Sequence, residues 1–247
     1  MSAKHPVIAV TGSSGAGTTT VKRAFEHIFL REKINPVTIE GDSFHRYNRA
    51  EMRDAVKKAE AGGNKHFSHF GADANLFDKL EEMFKTYGEN GGGKKRYYLH
   101  SEEEAAEHNK RLGTGLKPGE FTPWEDIPSG TDMMFYEGLH GLVVHDKINM
   151  AQYVDLGVGV VPIVNLEWIQ KIQRDNKERG YTPEVIVDTI LRRMPDYVNV
   201  ITPQFSFTDI NFQRVPTVDT SNPFIARDIP TPDESMVIIR FKRVEKW

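Results

Sequence analysis

The residues best suited to chemistry stand near the start of the chain. Gly12-Ser13-Ser14-Gly15-Ala16-Gly17-Thr18-Thr19, followed by Thr20, fits the phosphate-binding pattern G-x-x-x-x-G-K-[ST] at every position but one. Glycines let such a loop curl until successive N–H groups converge on a polyphosphate, and the positive end of the next helix points at the same place. Thr19 stands where a hydroxyl would hold Mg²⁺. The lysine that normally reaches the β- and γ-phosphates is replaced by Thr18, and the loop has no other lysine. An ordinary glycine turn capped by threonine has a similar composition, so the flanking elements carry the distinction: a strand before and a helix after favour the phosphate loop.

A second basic constellation lies far along the chain. Lys171, Arg174 and Asp175 are spaced i, i+3 and i+4, so they share one face of a helix that closes at Arg179-Gly180. Lys171 could replace the missing loop lysine, because phosphoryl transfer rests on positioning and on stabilising charge at the migrating group. The same spacing also describes a solvated face with an ion pair contributing about 0.3–0.5 kcal/mol, and on spacing alone that is the stronger reading. Asp42 and Glu137 each follow an apolar run. An acceptor alcohol needs a carboxylate to take its proton, and a Mg²⁺ needs an oxygen ligand or an acid holding its water. Asp42 is assigned the base and Glu137 the metal side, although a single acid at such a place is more often a helix cap or loop residue. His45, Arg49, His100, Arg192 and Arg193 could bind the phosphate of a phosphorylated substrate; arginines on an amphipathic helix are more often solvated, and His100 could simply pack beside Tyr97 and Tyr98.

The elements that must position these groups are legible in outline. Pro6 to Val10 predicts a strand and Thr18 to Arg31 a helix, so the glycine loop joins the two. Val37 to Glu40 predicts a strand ending at Gly41-Asp42, and Arg49 to Ala61 a charged helix. From 62 to 130 the chain turns polar, with one helix (Ala74 to Tyr87), the turn-rich Gly88 to Gly93 and the basic Lys94-Lys95-Arg96, which reads as an elaboration and not a second core. Met133 to Tyr136 predicts a buried strand ending in Glu137-Gly138. Leu156 to Val164 predicts another that runs into a helix from Leu166 to Arg179. Thr182 to Met194 predicts a helix with Pro183 just past a Thr cap, and Met236 to Phe241 a last strand, alternating or buried. This alternation predicts an α/β fold with a mixed, mostly parallel central sheet flanked by helices, and ligands at the carboxyl ends of its strands.

Composition narrows the chemistry further. The 247 residues suit one large α/β domain, and 32 Lys+Arg against 35 Asp+Glu give a net charge of −3, so no global field draws the chain to nucleic acid or an anionic membrane. With no cysteine, disulfides, thiolate metal sites and thiol redox control are excluded. The N-terminus does not read as a targeting segment, and no apolar run approaches the roughly eighteen residues of a membrane helix, so a cytoplasmic protein is expected.

Taken together, TGSSGAGTTT (11–20), IEGDSFHR (39–46), FYEGLHG (135–141), VVPIVNLEWIQKIQRD (160–175), ERGY (178–181) and NFQRVPTVDTSNPFIAR (211–227) resemble phosphoribulokinases of the bacterial type, P-loop kinases related to uridine kinase. Thr18 in place of the loop lysine is itself a feature of that type. The resemblance implies a P-loop NTPase of nucleoside/adenylate kinase-like architecture over 1–247. It implies that ATP with Mg²⁺ phosphorylates the 1-hydroxyl of D-ribulose 5-phosphate, giving ribulose 1,5-bisphosphate in the Calvin cycle. Asp42 is then the catalytic base, Asp175 a second essential acid on the metal and Glu137 near Mg²⁺. By the same resemblance Lys171 meets the transferred phosphoryl group, His45, Arg49 and Arg179 face the sugar phosphate, and Arg174 helps hold the closed site. It further implies a homo-octamer activated by NADH and inhibited by AMP, with Arg31 in the effector-responsive region. Plant-type relatives carry a regulatory thiol where this chain has Ala16. Members of the family continue past the strand at 236–241, so a chain shorter than its family at the C-terminus is expected. Two alternatives remain: a uridine-type nucleoside kinase, against which His45 and the absent loop lysine argue, and a catalytically silent nucleotide or NADH sensor.

Overall fold

Val7–Thr11 (β1) is buried along its whole length, which is why its sequence is a β-branched run interrupted only by Ala9 and not an alternating one. In the computed structural model, which describes residues 4–242, β1 is followed by α1 (Thr18–Glu32), β2 (Pro36–Glu40), α2 (Arg49–Ala61), α3 (Phe77–Asn90), β3 (Lys94–Lys95), α4 (Glu102–Leu112) and β4 (Glu125–Asp126). Then come β5 (Met133–Gly138), the short pair β6 (Val144–His145) and β7 (Ile148–Asn149), β8 (Leu156–Val160), α5 (Val164–Arg179), α6 (Pro183–Asp196), β9 (Ile210–Pro216) and β10 (Ser235–Phe241). The main sheet has the order β10-β9-β8-β1-β5-β2 and is parallel except for β10, which runs antiparallel to β9. The expected mixed, mostly parallel sheet is therefore present.

Side chains alternate across the central strands and bury both faces of the sheet. Val7 and Ala9 join Val37, Ile39, Met134 and Tyr136 on one side, under α3. Ile8 and Val10 join Phe135, Val158 and Val160 on the other, under α1. Helix α1 contributes Phe25 and Phe29, whose rings meet Phe135 at 5.1 and 5.3 Å. Registering Val10 against Glu137, Glu137 against Glu40 and Thr11 against Gly159 brings the carboxyl ends of four strands to one rim.

Several expected elements are corrected. The helix read over 74–87 starts at Phe77, because the Asn75 amide donates to the His69 and Gly71 carbonyls and Leu76 N–H donates to Phe44. Those contacts hold Asn75 extended and keep Leu76 out of the helix. The strand read over 156–164 stops at Val160, and α5 begins at Val164. Helix α6 continues to Asp196 through Pro195, then widens into a π turn at Tyr197–Ile201; a proline with no N–H to donate breaks the regular ladder at that point. Helix α4 was not expected, although Ser101 caps it, three glutamates fill its first turn and Gly113 at φ 67° closes it. Strand β9 was not expected either. Glu137 lies inside β5, not beyond it. Strand β10 is neither alternating nor buried: Met236, Val237, Ile238, Ile239 and Phe241 are all exposed at the sheet edge. No helix among the described residues is long and apolar enough to cross a membrane.

Candidate active site

The glycine loop leaves β1 at Thr11, whose hydroxyl donates to the Leu139 carbonyl, and enters α1 at Gly17. Gly15 and Gly17 sit at φ 102° and 99°, left-handed values that favour glycine. Helix α1 has neither a side-chain cap nor an acid in its first turn. Its leading N–H groups and positive end are therefore directed at the loop with no acid of its own first turn to cap them.

Helix α5 is docked onto that loop. The Gln170 amide donates to the Gly15 carbonyl at 2.9 Å, and Arg174 Nη2 donates to Ser14 Oγ at 3.1 Å. A side chain at Gly15 would strike the Glu167 carbonyl and the Lys171 Cβ at 2.7 and 3.1 Å, so the loop and helix meet backbone to backbone. The same helix face carries Lys171, whose ammonium is paired with Asp175 Oδ2; both side chains are about 95% buried (6% and 5% exposed). Burial and Arg193 push Lys171 down to about 8, against the pull of Asp175. Burial would raise Asp175, but Lys171, Arg174 and Arg179 hold it below the ordinary carboxylate range. Its other oxygen receives Arg174 at 2.9 Å and Arg179 at 3.3 Å.

Asp42 is the second residue of the short 3₁₀ turn Gly41–Phe44 that follows β2, facing the same rim. Its Oδ1 lies 3.6 Å from His45 Nε2 and its Oδ2 3.7 Å from His100 Nε2. Burial pushes the carboxyl up, yet His45, His100, Arg179 and His140 together hold it below its ordinary value. Arg179 thus acts on both Asp42 and Asp175. His45 is buried, stacks on His69 at 4.3 Å and leaves its Nε2 without a hydrogen bond. The turn carrying Asp42 and His45 is fastened by Arg96, which donates to the Ser43 and His45 carbonyls at 2.8 and 2.7 Å and lies 3.7 Å over the Phe121 ring. Gly41 and Gly138 let the β2 and β5 ends approach: a Cβ at Gly138 would lie 2.7 Å from the Gly41 Cα.

Glu137 is raised by burial, which the Thr18 hydroxyl and Lys22 only partly offset. Thr18 therefore fills the lysine position of the loop with a neutral donor to this acid. Lys22, one turn on, pairs with Glu40 at 2.7 Å. Among the described residues no group of three or more His, Cys, Asp or Glu side chains could hold a metal ion. A Mg²⁺ that arrives on nucleotide phosphates keeps several waters and needs only one or two protein oxygens. Thr19, exposed at the second position of α1, and Glu137, whose charged form is disfavoured by burial, fit that requirement. Asp175, also expected on the metal, is placed otherwise: both its oxygens are taken by cations, so metal contact requires Lys171 or the arginines to part from it.

The remaining expected residues divide. Arg193 is at the site, 5.0 Å over the Phe70 ring, lowered to about 10 by burial, with Nε unpartnered. Arg192 points the other way, toward Glu60 at 3.6 Å. Arg49 leads α2 and reaches the His100 carbonyl at 3.4 Å. Arg31 pairs with Glu32 in the last turn of α1, about 20 Å along the helix from Thr18 at 1.5 Å per residue. Sequence reading missed Glu167, Gln170, Lys22, His69 and the fastening role of Arg96. Of these, only Gln170 and Glu167 carried a signal, as neighbours of Lys171 on one helix.

A phosphate loop on the central strand of a parallel sheet, with a basic helix closing on it and a carboxylate on the next strand end, has the architecture of P-loop kinases. The chain belongs to the phosphoribulokinase/uridine kinase family, whose model matches residues 7–221. Phosphoribulokinase from Nitrobacter vulgaris is 63% identical over 239 residues, 97% of this chain and 80% of that protein. The probable phosphoribulokinase of Escherichia coli K12 is 58% identical, covering 99% of this chain and 82% of that one. Among solved structures, phosphoribulokinase from Rhodobacter spheroides superposes with a TM-score of 0.85 at 55% identity, over 97% of this chain and 80% of that one. D-glycerate 3-kinase from Cryptococcus neoformans, at 14% identity and TM-score 0.55 over 95% of this chain and 90% of that one, shares the fold alone.

Proposed function

We propose that this chain transfers the γ-phosphoryl group of ATP to the 1-hydroxyl of D-ribulose 5-phosphate, forming ribulose 1,5-bisphosphate. What supports the reading is the docking of α5 on the glycine loop, which sets the Lys171 ammonium beside a loop lacking its own lysine. The acceptor follows from the names of relatives 57–63% identical over 97–99% of the chain.

Each group then has a task. The loop N–H groups and the α1 terminus hold the phosphates. Thr19 and Glu137 would hold a Mg²⁺ or its water, and the ion would supply neutralisation of the phosphate charge. Asp42, held below its ordinary value, remains ionised near neutral pH, so it accepts the proton of the attacking hydroxyl. Lys171 leaves Asp175 to meet the negative charge on the migrating group, and Arg174, already on Ser14 and Asp175, keeps the loop and helix together. His45, Arg49, His100, Arg179 and Arg193 surround the place for a sugar phosphate; Arg192, turned to Glu60, reaches it only by changing partners.

Residues 1–247 are read as one kinase domain with 62–130 as its elaboration, in a cytoplasmic protein acting in the Calvin cycle. A homo-octamer, activation by NADH, inhibition by AMP and an effector role for Arg31 complete the proposal on the strength of the bacterial-type resemblance. The test is ADP release from Mg·ATP with ribulose 5-phosphate, uridine, cytidine or no acceptor. Turnover confined to ribulose 5-phosphate supports the reading, and turnover confined to a nucleoside overturns it.

A further inference from the structure

Beneath the glycine loop lies a carboxyl group that the reaction as described does not use. Glu167 stands one turn before Lys171 on the same face of α5, 5% exposed. It lines a cavity of about 10 Å³, closed by Ser14 from the loop, Phe70, Lys171, Arg193 and Met194, with Tyr197 from the π turn. The Tyr197 hydroxyl donates to Glu167 Oε2 at 3.3 Å, and the buried Ser13 hydroxyl faces the same carboxyl. One side chain therefore touches the loop, the lysine helix and the turn that ends α6.

The charge of this group matters because Lys171 has a carboxyl one turn to either side. Asp175 holds the ammonium, with two arginines fixing that carboxylate in place. An ionised Glu167 would compete for Lys171 and would set a negative charge under the phosphates. We propose that Glu167 is a positioning residue whose carboxyl is neutral when nucleotide is bound, taking a proton from solvent as Mg·ATP seats on the loop and leaving Lys171 free for the migrating phosphoryl group. The groups facing it are Ser13 from the loop, Lys171 on its own helix, Arg193 from α6 and Tyr197 from the π turn. Burial raises the carboxyl to about 7, against the hydroxyls of Ser13 and Tyr197 and the charge of Lys171. The free protein near neutral pH therefore holds a mixture of both forms, and phosphate charge draws it to the neutral one.

This inference rests on the nucleotide site proposed above. Its test is calorimetry of Mg·ATP binding without acceptor at pH 7.5, in two buffers of different ionisation enthalpy, for the parent and Glu167→Gln. The parent is expected to take up a substantial fraction of a proton that Glu167→Gln does not. Across pH 6.5 to 8 its affinity should fall by up to about tenfold per unit relative to the variant. Equal proton uptake in both overturns the inference, whereas failure of the parent to bind Mg·ATP overturns the nucleotide site itself. Tyr197→Phe gives an independent reading: losing the donor to the charged form should move the pH midpoint of binding upward, and an unmoved midpoint also counts against the role.

Discussion

Lys171 and Asp175, one helical turn apart, form a buried ion pair on the face of α5 that meets the glycine loop. The pair stores a cation next to the phosphates while no nucleotide is there to use it. Taking both charges out of water is costly unless each has partners, and Asp175 has two further ones in Arg174 and Arg179.

Breaking this pair from one side should therefore be more harmful than removing it whole. Lys171→Met is expected to lose about 3 kcal/mol, the lower end for a severed buried pair because the arginines remain. Lys171→Met with Asp175→Asn should recover part of that loss. Urea unfolding of the two single variants and the double reads the coupling, and strictly additive losses would count against it.

The Lys171 cation should set an alkaline limit on kcat/KM. With the folded group lowered to about 8 from an ordinary 10.5, the ammonium needed at the phosphates is lost as pH rises through 8. Stability moves the other way, because between about 8 and 10.5 the unfolded chain binds the proton that the folded one has released. Lys171→Arg, which stays charged, should move the alkaline limb of kcat/KM, the constant that reports the free enzyme, upward even if turnover is reduced. A limb left in place would assign it to another group.

Asp42→Asn removes the proton acceptor and little else. Turnover should fall by roughly 10²–10⁴ with nucleotide affinity nearly intact. Because its neighbours hold Asp42 below its ordinary value, the parent should show no loss from this group between pH 8 and 5. Steady-state kinetics over that range decides, and turnover of the variant within tenfold of the parent would remove Asp42 from the role.

Arg96 makes no use of its charge at the phosphates; it fixes the turn that presents Asp42 and His45. Lys at this position cannot reproduce two directed donors and a ring-stacked plane. Arg96→Lys should raise KM for the sugar phosphate about tenfold or more, the value of one or two charge-assisted bonds, with KM for ATP little changed. Equal rises in both constants would point to a general loosening of the fold instead.

What was legible follows sequence distance. The loop, Lys171, Arg174 and Asp175 are local patterns in register with a helix, so spacing alone brings them together. Arg96 and Glu167 act on residues about fifty and 154 positions away, and no local pattern encodes that. Helix α4 lay within reach, because Ser101 and Gly113 mark its two ends, but its glutamate-rich face hid the apolar periodicity. In β10 the apolar run was correctly read as a strand, while burial depends on what covers the sheet edge, which its own residues do not specify.

If α5 supplies the charge that Thr18 cannot, single-turnover phosphoryl transfer must depend on Lys171. Parent and Lys171→Met would be compared at saturating Mg·ATP and ribulose 5-phosphate, with nucleotide affinity measured separately. Transfer by the variant should be slower by about a thousandfold, the scale of one lost transition-state donor, with affinity for ATP within about threefold. Transfer within tenfold of the parent, or a loss matched by equally weakened ATP binding, would contradict that dependence on Lys171.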